Sequence, residues 1–217
     1  MAVVTKEKIF SGVTLDMRLQ WEDWMEKLPG KMETVSGPSG TGKTTLLGQT
    51  VDCAPEICSL VTSETNRKPR PSDLVHEYNY LSEEDFDQLV STRKLAWQVS
   101  AHGNRYATTD RNTRIAFTVE GFHLVNCLPI IPASLPAEFF LSQKVTPFFI
   151  VAPPERELRR RFKERGDGPE EVERRIADCA EWNDWFESRR GCIPFKVIDG
   201  RLSKDEMARS FHKAINL

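Results

Sequence analysis

Residues 36–46 read SGPSGTGKTTL, and this stretch contains the pattern GxxxxGK[ST] from Gly37 to Thr44. A run of residues typical of a strand precedes it, and a run typical of a helix follows it. Glycines let the backbone N–H groups of such a loop wrap a polyphosphate closely, and the N-terminus of the next helix faces the same anion. The sequence therefore predicts a phosphate-binding loop between a strand and a helix.

Two side chains at the end of this loop have chemistry suited to a nucleoside triphosphate. Lys43 can reach the β- and γ-phosphates as a mobile positive charge, and the Thr44 hydroxyl is suited to coordinate Mg²⁺. The residues predicted to bind the nucleotide are Gly37, Pro38, Ser39, Gly40, Thr41, Gly42, Lys43, Thr44 and Thr45. Thr44 is the only metal ligand that we predict.

Length and composition limit the function classes. A chain of 217 residues is expected to form one α/β domain with small insertions. Its net charge of −2 gives no bulk attraction to nucleic acid or to an anionic membrane. The five cysteines show no metal-ligand spacing, and we identify neither a signal peptide nor a membrane span. We therefore expect a reduced, cytoplasmic protein with no nucleic-acid or membrane partner.

Strand and helix patterns alternate after residue 31. The predicted strands are Met32–Val35, Ile57–Thr62, Phe122–Asn126, Thr146–Val151 and Phe195–Ile198. The predicted helices after the phosphate loop are Glu155–Glu164, Glu170–Arg189 and Ser203–Ile215. This alternation predicts an α/β fold with a parallel sheet flanked by helices, in which ligands bind at the carboxyl ends of the strands.

Residues 1–31 are predicted to be an N-terminal extension. Within them Trp21, Trp24, Met25 and Leu28 have the spacing of an apolar helix face. Such a face packs on the core of its own domain or forms a partner or dimer surface, and the sequence leaves both interpretations open.

A second cluster of basic residues follows the second predicted strand. Two prolines disfavour helix there and leave Arg67 and Arg70 on an extended turn. Two guanidinium groups three residues apart suit a second phosphate, and Tyr78 and Tyr106 add hydroxyl donors. The alternative is that the arginines are solvated and the tyrosines simply pack.

A third basic cluster lies on the helix over residues 155–164. Arg161 and Arg165 are spaced to share one helix face, and the glycines and proline of residues 166–169 break the helix like a hinge. Arginines on a closing segment can stabilise the charge of a transferring phosphoryl group. The alternative is a solvated face balanced by neighbouring glutamates.

Taken together, these motifs resemble the guanylate kinase family from about residue 32 to the C-terminus. The matching segments are SGPSGTGKTTLL, the SxTxRxPRP run at 63–71, YxYLSEEDF at 78–86, HGNxY at 102–106, APPERELRRRFKERG at 152–166 and EEVERRI at 170–176. The resemblance implies a P-loop kinase domain over 32–217, with an acceptor phosphate-binding insert at 63–108 and a helical lid at 155–176. It also implies a monomer or homodimer that moves the γ-phosphate of ATP, with Mg²⁺, onto the phosphate of a nucleoside monophosphate of the GMP or dGMP type.

The resemblance also assigns roles to individual residues. The implied catalytic residues are Lys43, Arg67, Arg161, Arg165 and Arg175. The implied acceptor-binding residues are Ser63, Arg67, Arg70, Tyr78, Tyr106 and Thr108, with Thr108 near the base.

Two positions depart from the family pattern. Guanylate kinases read guanine with two carboxylates, and the corresponding positions here are Trp97 and Asn126. An indole only stacks or donates, and an amide both donates and accepts. We therefore expect an acceptor whose base stacks on Trp97 or bonds to Gln98 and Asn126, and guanine specificity is not predicted. Because the aspartate missing at 126 usually helps to organise magnesium, Thr44, water and the phosphates are left to hold the ion.

Two other functions remain open at this point. Ribose 1,5-bisphosphate phosphokinases share the scaffold without the guanine-reading acids, and residues 124–126 are similar to theirs. Guanylate-kinase-like interaction modules of scaffolding proteins are the other class, although these have generally lost the working phosphate loop.

Overall fold

The computed structural model describes residues 11–15, 27–101, 103–135 and 137–217. The strands are β1 Ser11–Leu15, β2 Gly30–Ser36, β3 Cys58–Leu60, β4 Ser63–Thr65, β5 Tyr78–Tyr80, β6 Leu95–Ala101, β7 Asn104–Thr109, β8 Gly121–Asn126, β9 Val145–Val151 and β10 Lys196–Asp199. The helices are α1 Lys43–Cys53, α2 Glu83–Ser91, α3 Asp110–Thr118, α4 Ile130–Ala133, α5 Glu138–Leu141, α6 Glu155–Glu164, α7 Pro169–Arg189 and α8 Lys204–Ile215.

The predicted parallel sheet is present, in the order β10-β9-β2-β8-β3. β2 lies at its centre and is buried on both faces, because helices cover both sides, and it places Met32 in one buried apolar cluster and Val35 in another. Strand β3 is shorter than the strand predicted over Ile57–Thr62. The ends of α6, α7 and α8 lie within one residue of the ends predicted for the three later helices. The α/β fold class is confirmed.

This order of strands determines where ligands can bind. The phosphate loop follows β2, and β8 and β9 flank β2 on either side. The carboxyl ends of all three strands therefore meet at one edge of the sheet, next to the N-terminus of α1. Grooves at such an edge are the usual ligand sites of open parallel sheets.

A second, mixed sheet was not predicted as a sheet. Its order is β1-β6-β7-β4-β5, and β6 and β7 form a hairpin that turns between Ala101 and Asn104. β1 pairs with β6, so part of the predicted N-terminal extension adds an edge strand to the sheet of the acceptor insert. The proposed boundaries of extension, insert and lid stay predictions.

The helix predicted around Trp21–Leu28 lies outside the described residues except at its end. There, Leu28 packs against the buried cluster that contains Met32 and Phe117. Among the described helices, none has the length and apolar composition needed to cross a membrane.

Candidate active site

A cavity of about 1090 Å³ opens at the carboxyl ends of the parallel strands. The phosphate loop, the second sheet, α6, α7 and the start of α8 line it. Every residue that the sequence analysis assigned to the site lines this cavity, with the exceptions of Pro38 and Gln98. Pro38 is buried, and its carbonyl oxygen accepts hydrogen bonds from Lys43 Nζ (2.9 Å) and Thr41 Oγ1 (2.9 Å). One continuous space therefore connects the three predicted basic clusters.

Two glycines of the loop are required by their surroundings. Gly37 has a φ of 147°, and a Cβ there would lie 2.5 Å from the carbonyl oxygen of Ile150. Gly40 has a φ of 80°, and a Cβ there would lie 2.7 Å from the ring of Phe162 on α6. Any side chain would therefore displace β9 or α6 and strain the backbone.

Lys43 is held against the phosphate loop by hydrogen bonds to its backbone. Its Nζ donates to the carbonyl oxygens of Gly37 (2.6 Å) and Pro38 (2.9 Å) and lies 5.8 Å from the ring centre of Trp182. Burial lowers the pKa of Lys43 to about 8, and the nearby Arg165 and Arg175 also lower it, against raising effects of Cys179 and Glu77. An anionic ligand would compensate this desolvated charge.

The acceptor end centres on Arg67, which is already paired. Its guanidinium donates to both carboxylate oxygens of Asp73, each at 3.0 Å, and lies over the rings of Tyr78 (5.0 Å) and Tyr80 (5.8 Å). Asp73 also accepts from Tyr80 Oη (2.6 Å) and from the N–H of Arg70 (2.7 Å). Burial lowers the pKa of Arg67, but the hydrogen bonds and charge of Asp73 outweigh this and leave it above its usual value. Arg67 is therefore charged and fixed in place before a ligand binds.

Arg70 and Tyr106 differ from Arg67 in their environment. Arg70 is exposed, and its guanidinium makes no hydrogen bond or ion pair within the described ranges. Tyr106 packs edge-on to Tyr78, with ring centres 6.2 Å apart, and burial raises its pKa. Arg67 and Arg70 thus do not form two equivalent forks. Asp73 and the carbonyl oxygen of Lys68 engage three of the five N–H donors of Arg67, whereas the guanidinium of Arg70 makes no such contact within the described part of the chain.

The base end of the cavity requires corrections to the sequence interpretation. Ser63 Oγ and Thr108 Oγ1 are buried and 2.8 Å apart. Trp97 lines the cavity, but it is only 3% exposed and packs among core residues, so almost none of its ring remains for a stacked base. Gln98 does not line the cavity, because side chains alternate along β6. His102 of the HGNxY segment lies outside the described residues.

Asn126 is held at the end of β8. Its Nδ2 donates to Glu77 Oε1 (2.8 Å) and more weakly to Tyr78 Oη (3.4 Å). Asn126 therefore lies next to Glu77 and Tyr78, which line the same cavity.

The three arginines assigned to the predicted lid differ in their contacts. Arg161 donates to the carbonyl oxygens of Gly40 (3.0 Å) and Gly200 (3.2 Å). Arg175 donates to Ser39 Oγ at 2.6 Å, and burial lowers its pKa. Arg165 instead pairs with Asp167 in the break between α6 and α7. Two of the three arginines thus join the lid directly to the phosphate loop.

Sequence reasoning missed the two carboxylates that line the cavity between β4 and β5, Asp73 and Glu77. Asp73 lies only three residues after Arg70, so its proximity to the arginine turn was available as a local signal. Glu77 immediately precedes Tyr78, but its contact with Asn126 joins residues 49 positions apart and has no signal in a single sequence.

Comparisons with known proteins agree with this geometry. The guanylate kinase family model matches residues 30–181. The guanylate kinase of Geobacter sulfurreducens is 34% identical over 157 residues, covering 71% of this chain and 75% of the relative. That of Rubrobacter xylanophilus is 30% identical over 178 residues, covering 74% and 90%. The crystal structure of guanylate kinase from Anaplasma phagocytophilum aligns with a TM-score of 0.56 at 20% identity, over 87% of this chain and 86% of that one.

The solved structure supports the fold, and the family model and the two relatives establish the relationship in sequence. The matched region extends from the start of β2 into α7, so it contains the phosphate loop, the arginine turn and the lid arginines. The chain therefore belongs to the guanylate kinase family and is a nucleoside monophosphate kinase, as the motifs of its sequence predicted.

Proposed function

We propose that this protein transfers the γ-phosphoryl group of ATP to the phosphate of a nucleoside monophosphate, with GMP and dGMP as the preferred acceptors. One observation carries the proposal: a single cavity has the phosphate loop at one end and Arg67, Arg70, Tyr78 and Tyr106 at the other. Two anionic ligands can therefore bind with their phosphates facing each other. The preference for guanine is taken from the named activity of the relatives that are 30–34% identical.

The chemistry requires positioning rather than a general base. A phosphate oxygen of the acceptor, which is already ionised, attacks the γ-phosphorus in line, and the bond to the β–γ bridging oxygen of ATP breaks to release ADP. Lys43 neutralises charge on the donor, and Arg67 holds the acceptor phosphate. Arg161 lies on α6, Arg165 in the break after it and Arg175 on α7. Closure of these helices would therefore surround the transferring group with positive charge.

Magnesium fits the residues at the donor end. The Thr44 side chain lines the cavity, is partly exposed and makes no hydrogen bond within the part of the chain described. Its hydroxyl is therefore available as a ligand, and Mg²⁺ commonly takes only one or two protein ligands beside phosphates and water. The ion would supply charge neutralisation on the β- and γ-phosphates.

A sugar phosphate is the second candidate acceptor. The specific observation in its favour is that the two positions expected to hold guanine-reading carboxylates hold Trp97 and Asn126. The indole of Trp97 carries no hydrogen-bond acceptor, so this position cannot accept from the donor groups of guanine.

A substrate panel tests the proposal. ADP formation from ATP is measured with GMP, dGMP, AMP, CMP, UMP and ribose 1,5-bisphosphate at equal concentrations. We expect the highest kcat/KM with GMP or dGMP. Turnover confined to the sugar phosphate would refute the nucleotide assignment, and ATP binding without turnover of any acceptor would indicate an interaction module.

Removal of the loop lysine tests the donor site separately. Lys43→Ala should weaken ATP binding measured by calorimetry, because the cavity loses its central positive charge. Lys94→Ala is the matched control, since Lys94 is exposed and does not line the cavity. Equal ATP affinity of Lys43→Ala and the parent would contradict the assignment of the loop.

A further inference from the structure

Glu77 is a buried carboxylate in the wall of the active-site cavity. It is 4% exposed, although it immediately precedes β5. Its Oε2 accepts a hydrogen bond from the N–H of Leu74 (3.1 Å), and its Oε1 accepts one from Asn126 Nδ2 (2.8 Å). Both carboxylate oxygens are thus engaged within the protein, so Glu77 acts on a ligand chiefly through Asn126.

The contact with Glu77 determines which way the Asn126 amide points. Both oxygens of Glu77 act as acceptors, so the amide nitrogen of Asn126 faces Glu77 and the amide oxygen faces away. Asn126 Oδ1 accepts no hydrogen bond from the described residues, and it is not among the fully buried atoms that lack partners. Since Asn126 lines the cavity, this oxygen is open to it.

Asn126 lies between the two phosphate sites. It is in register with Val35 of β2, two residues before the phosphate loop begins at Gly37. On its other side its Nδ2 reaches Tyr78 Oη, and the Tyr78 ring lies under Arg67. An amide oxygen at this place would face the oxygens of bound phosphates. Both groups only accept hydrogen bonds, so they cannot bond to each other directly. A hydrated divalent cation supplies the complementary positive charge and donor hydrogens.

We infer that Glu77 is a positioning residue that holds the Asn126 carbonyl oxygen toward the water shell of the magnesium ion. The inference rests on the proposed function, because it requires ATP in the phosphate loop. The carboxylate that the family places at position 126 is thus replaced by an amide whose orientation is fixed by Glu77, the residue before β5. Partners of this kind commonly change metal affinity by about 10-fold to 100-fold when they are replaced.

Mn²⁺ binding measured by electron paramagnetic resonance tests the inference without turnover. The protein is saturated with a non-hydrolysable ATP analogue, and free Mn²⁺ is titrated. In Glu77→Gln one side-chain oxygen becomes a donor. While the remaining oxygen accepts from the N–H of Leu74, the new NH₂ group at position 77 faces Asn126. Asn126 then turns its oxygen toward this NH₂ group and its own nitrogen toward the cavity. We expect Mn²⁺ to bind about tenfold more weakly.

A double variant and a surface control make the test specific. In Glu77→Gln with Asn126→Asp, the new amide at position 77 can donate to the new carboxylate at position 126. The second oxygen of that carboxylate faces the cavity, so Mn²⁺ affinity should return to within about threefold of the parent. Glu84→Gln makes the same chemical change on an exposed residue of α2 outside the cavity, and it should bind Mn²⁺ like the parent. In steady-state assays, Glu77→Gln should lower kcat more than it raises the KM for the acceptor, because Arg67 and Tyr78 are intact.

Three outcomes would overturn the inference. The first is Mn²⁺ affinity in Glu77→Gln within twofold of the parent, and the second is no recovery of Mn²⁺ affinity in the double variant.

Circular dichroism checks that each variant is folded. Should Glu77→Gln not fold, Asn126→Ala is compared with the double variant, and equal Mn²⁺ affinity of these two is the third refuting outcome. A parent that binds Mn²⁺ and the analogue but phosphorylates no acceptor would refute the proposed function alone.

Discussion

Replacement of Glu33 by glutamine is expected to remove most of the pH dependence of stability that this residue causes. Glu33 lies in β2, is 1% exposed, and its Oε2 has no hydrogen-bond partner among the described residues. Burial raises the pKa of Glu33 from 4.5 to about 7, while the hydrogen bond of Thr146 and the charges of Lys196 and Lys31 lower it by less. The folded protein therefore favours the neutral acid.

The size and sign of the effect follow from this pKa. In the unfolded chain Glu33 titrates near 4.5, so between pH 4.5 and about 7 the folded state holds a proton that the unfolded state has lost. Stability is thus greatest below the unfolded pKa and falls as pH rises through the folded pKa. The difference of about 2.5 pH units, at about 1.4 kcal/mol each, gives about 3 kcal/mol in total, of which about 2 to 3 kcal/mol is lost between pH 5 and pH 8.

Urea denaturation followed by tryptophan fluorescence at pH 5, 6, 7 and 8 measures this loss. Glu33→Gln keeps the shape of the neutral acid but does not ionise, so its free energy of unfolding should fall less than that of the parent by about 2 to 3 kcal/mol over this range. Glu181→Gln changes an exposed glutamate of α7 and should follow the parent. Parallel pH profiles of the parent and Glu33→Gln would refute the reasoning, because the cost of ionising Glu33 would then be absent.

Three further perturbations test the site. Gly40→Ala forces a Cβ against Phe162 at a φ of 80°, so thermal denaturation should show a free energy of unfolding lower by about 1 to 3 kcal/mol. Calorimetry should show weaker binding of an ATP analogue. If neither stability nor binding changed, the loop geometry would be contradicted. Asp73→Asn leaves the buried guanidinium of Arg67 without its charged partner, so urea denaturation should show a free energy of unfolding lower by about 3 kcal/mol. Added GMP should restore part of this loss. Equal stability of the variant and the parent would contradict the pairing. Because the pKa of Lys43 is lowered to about 8, triphosphate binding at pH 8 should take up about half a proton. Calorimetry in buffers of different ionisation enthalpy measures this uptake, and Lys43→Arg should take up none. Equal proton uptake by Lys43→Arg and the parent would show that another group titrates.

The elements that the sequence predicted are those whose physical causes are local. The phosphate loop follows from glycines at fixed spacing, and two of them occupy positions that reject a Cβ. Strand β9 has an apolar sequence, VTPFFIV, because both of its faces are largely buried. α6 was predicted at Glu155–Glu164, where its apolar Leu158 and Phe162 are four residues apart and both buried.

The second sheet was harder to predict because its strands are short and its pairing is distant. β4 and β5 have three residues each, too few to show a clear alternation, and β4 pairs with β7 about 40 residues away. The role of Trp97 was misjudged for a related reason. Sequence spacing places it at a ligand-reading position, but only the packed structure shows that its ring is part of the core.

The position of Asn126 shows why comparing residues one position at a time can mislead. In the sequence, an asparagine there means that a carboxylate has been lost from the end of β8. In the structure, Glu77, the residue before β5, brings a carboxyl group to the same place, with its Oε1 2.8 Å from the amide nitrogen. The carboxyl group is therefore displaced by one side chain rather than removed. Since the electrostatic environment of the phosphates depends on where charges lie and not on which strand carries them, a site can lose a motif residue and keep its chemistry.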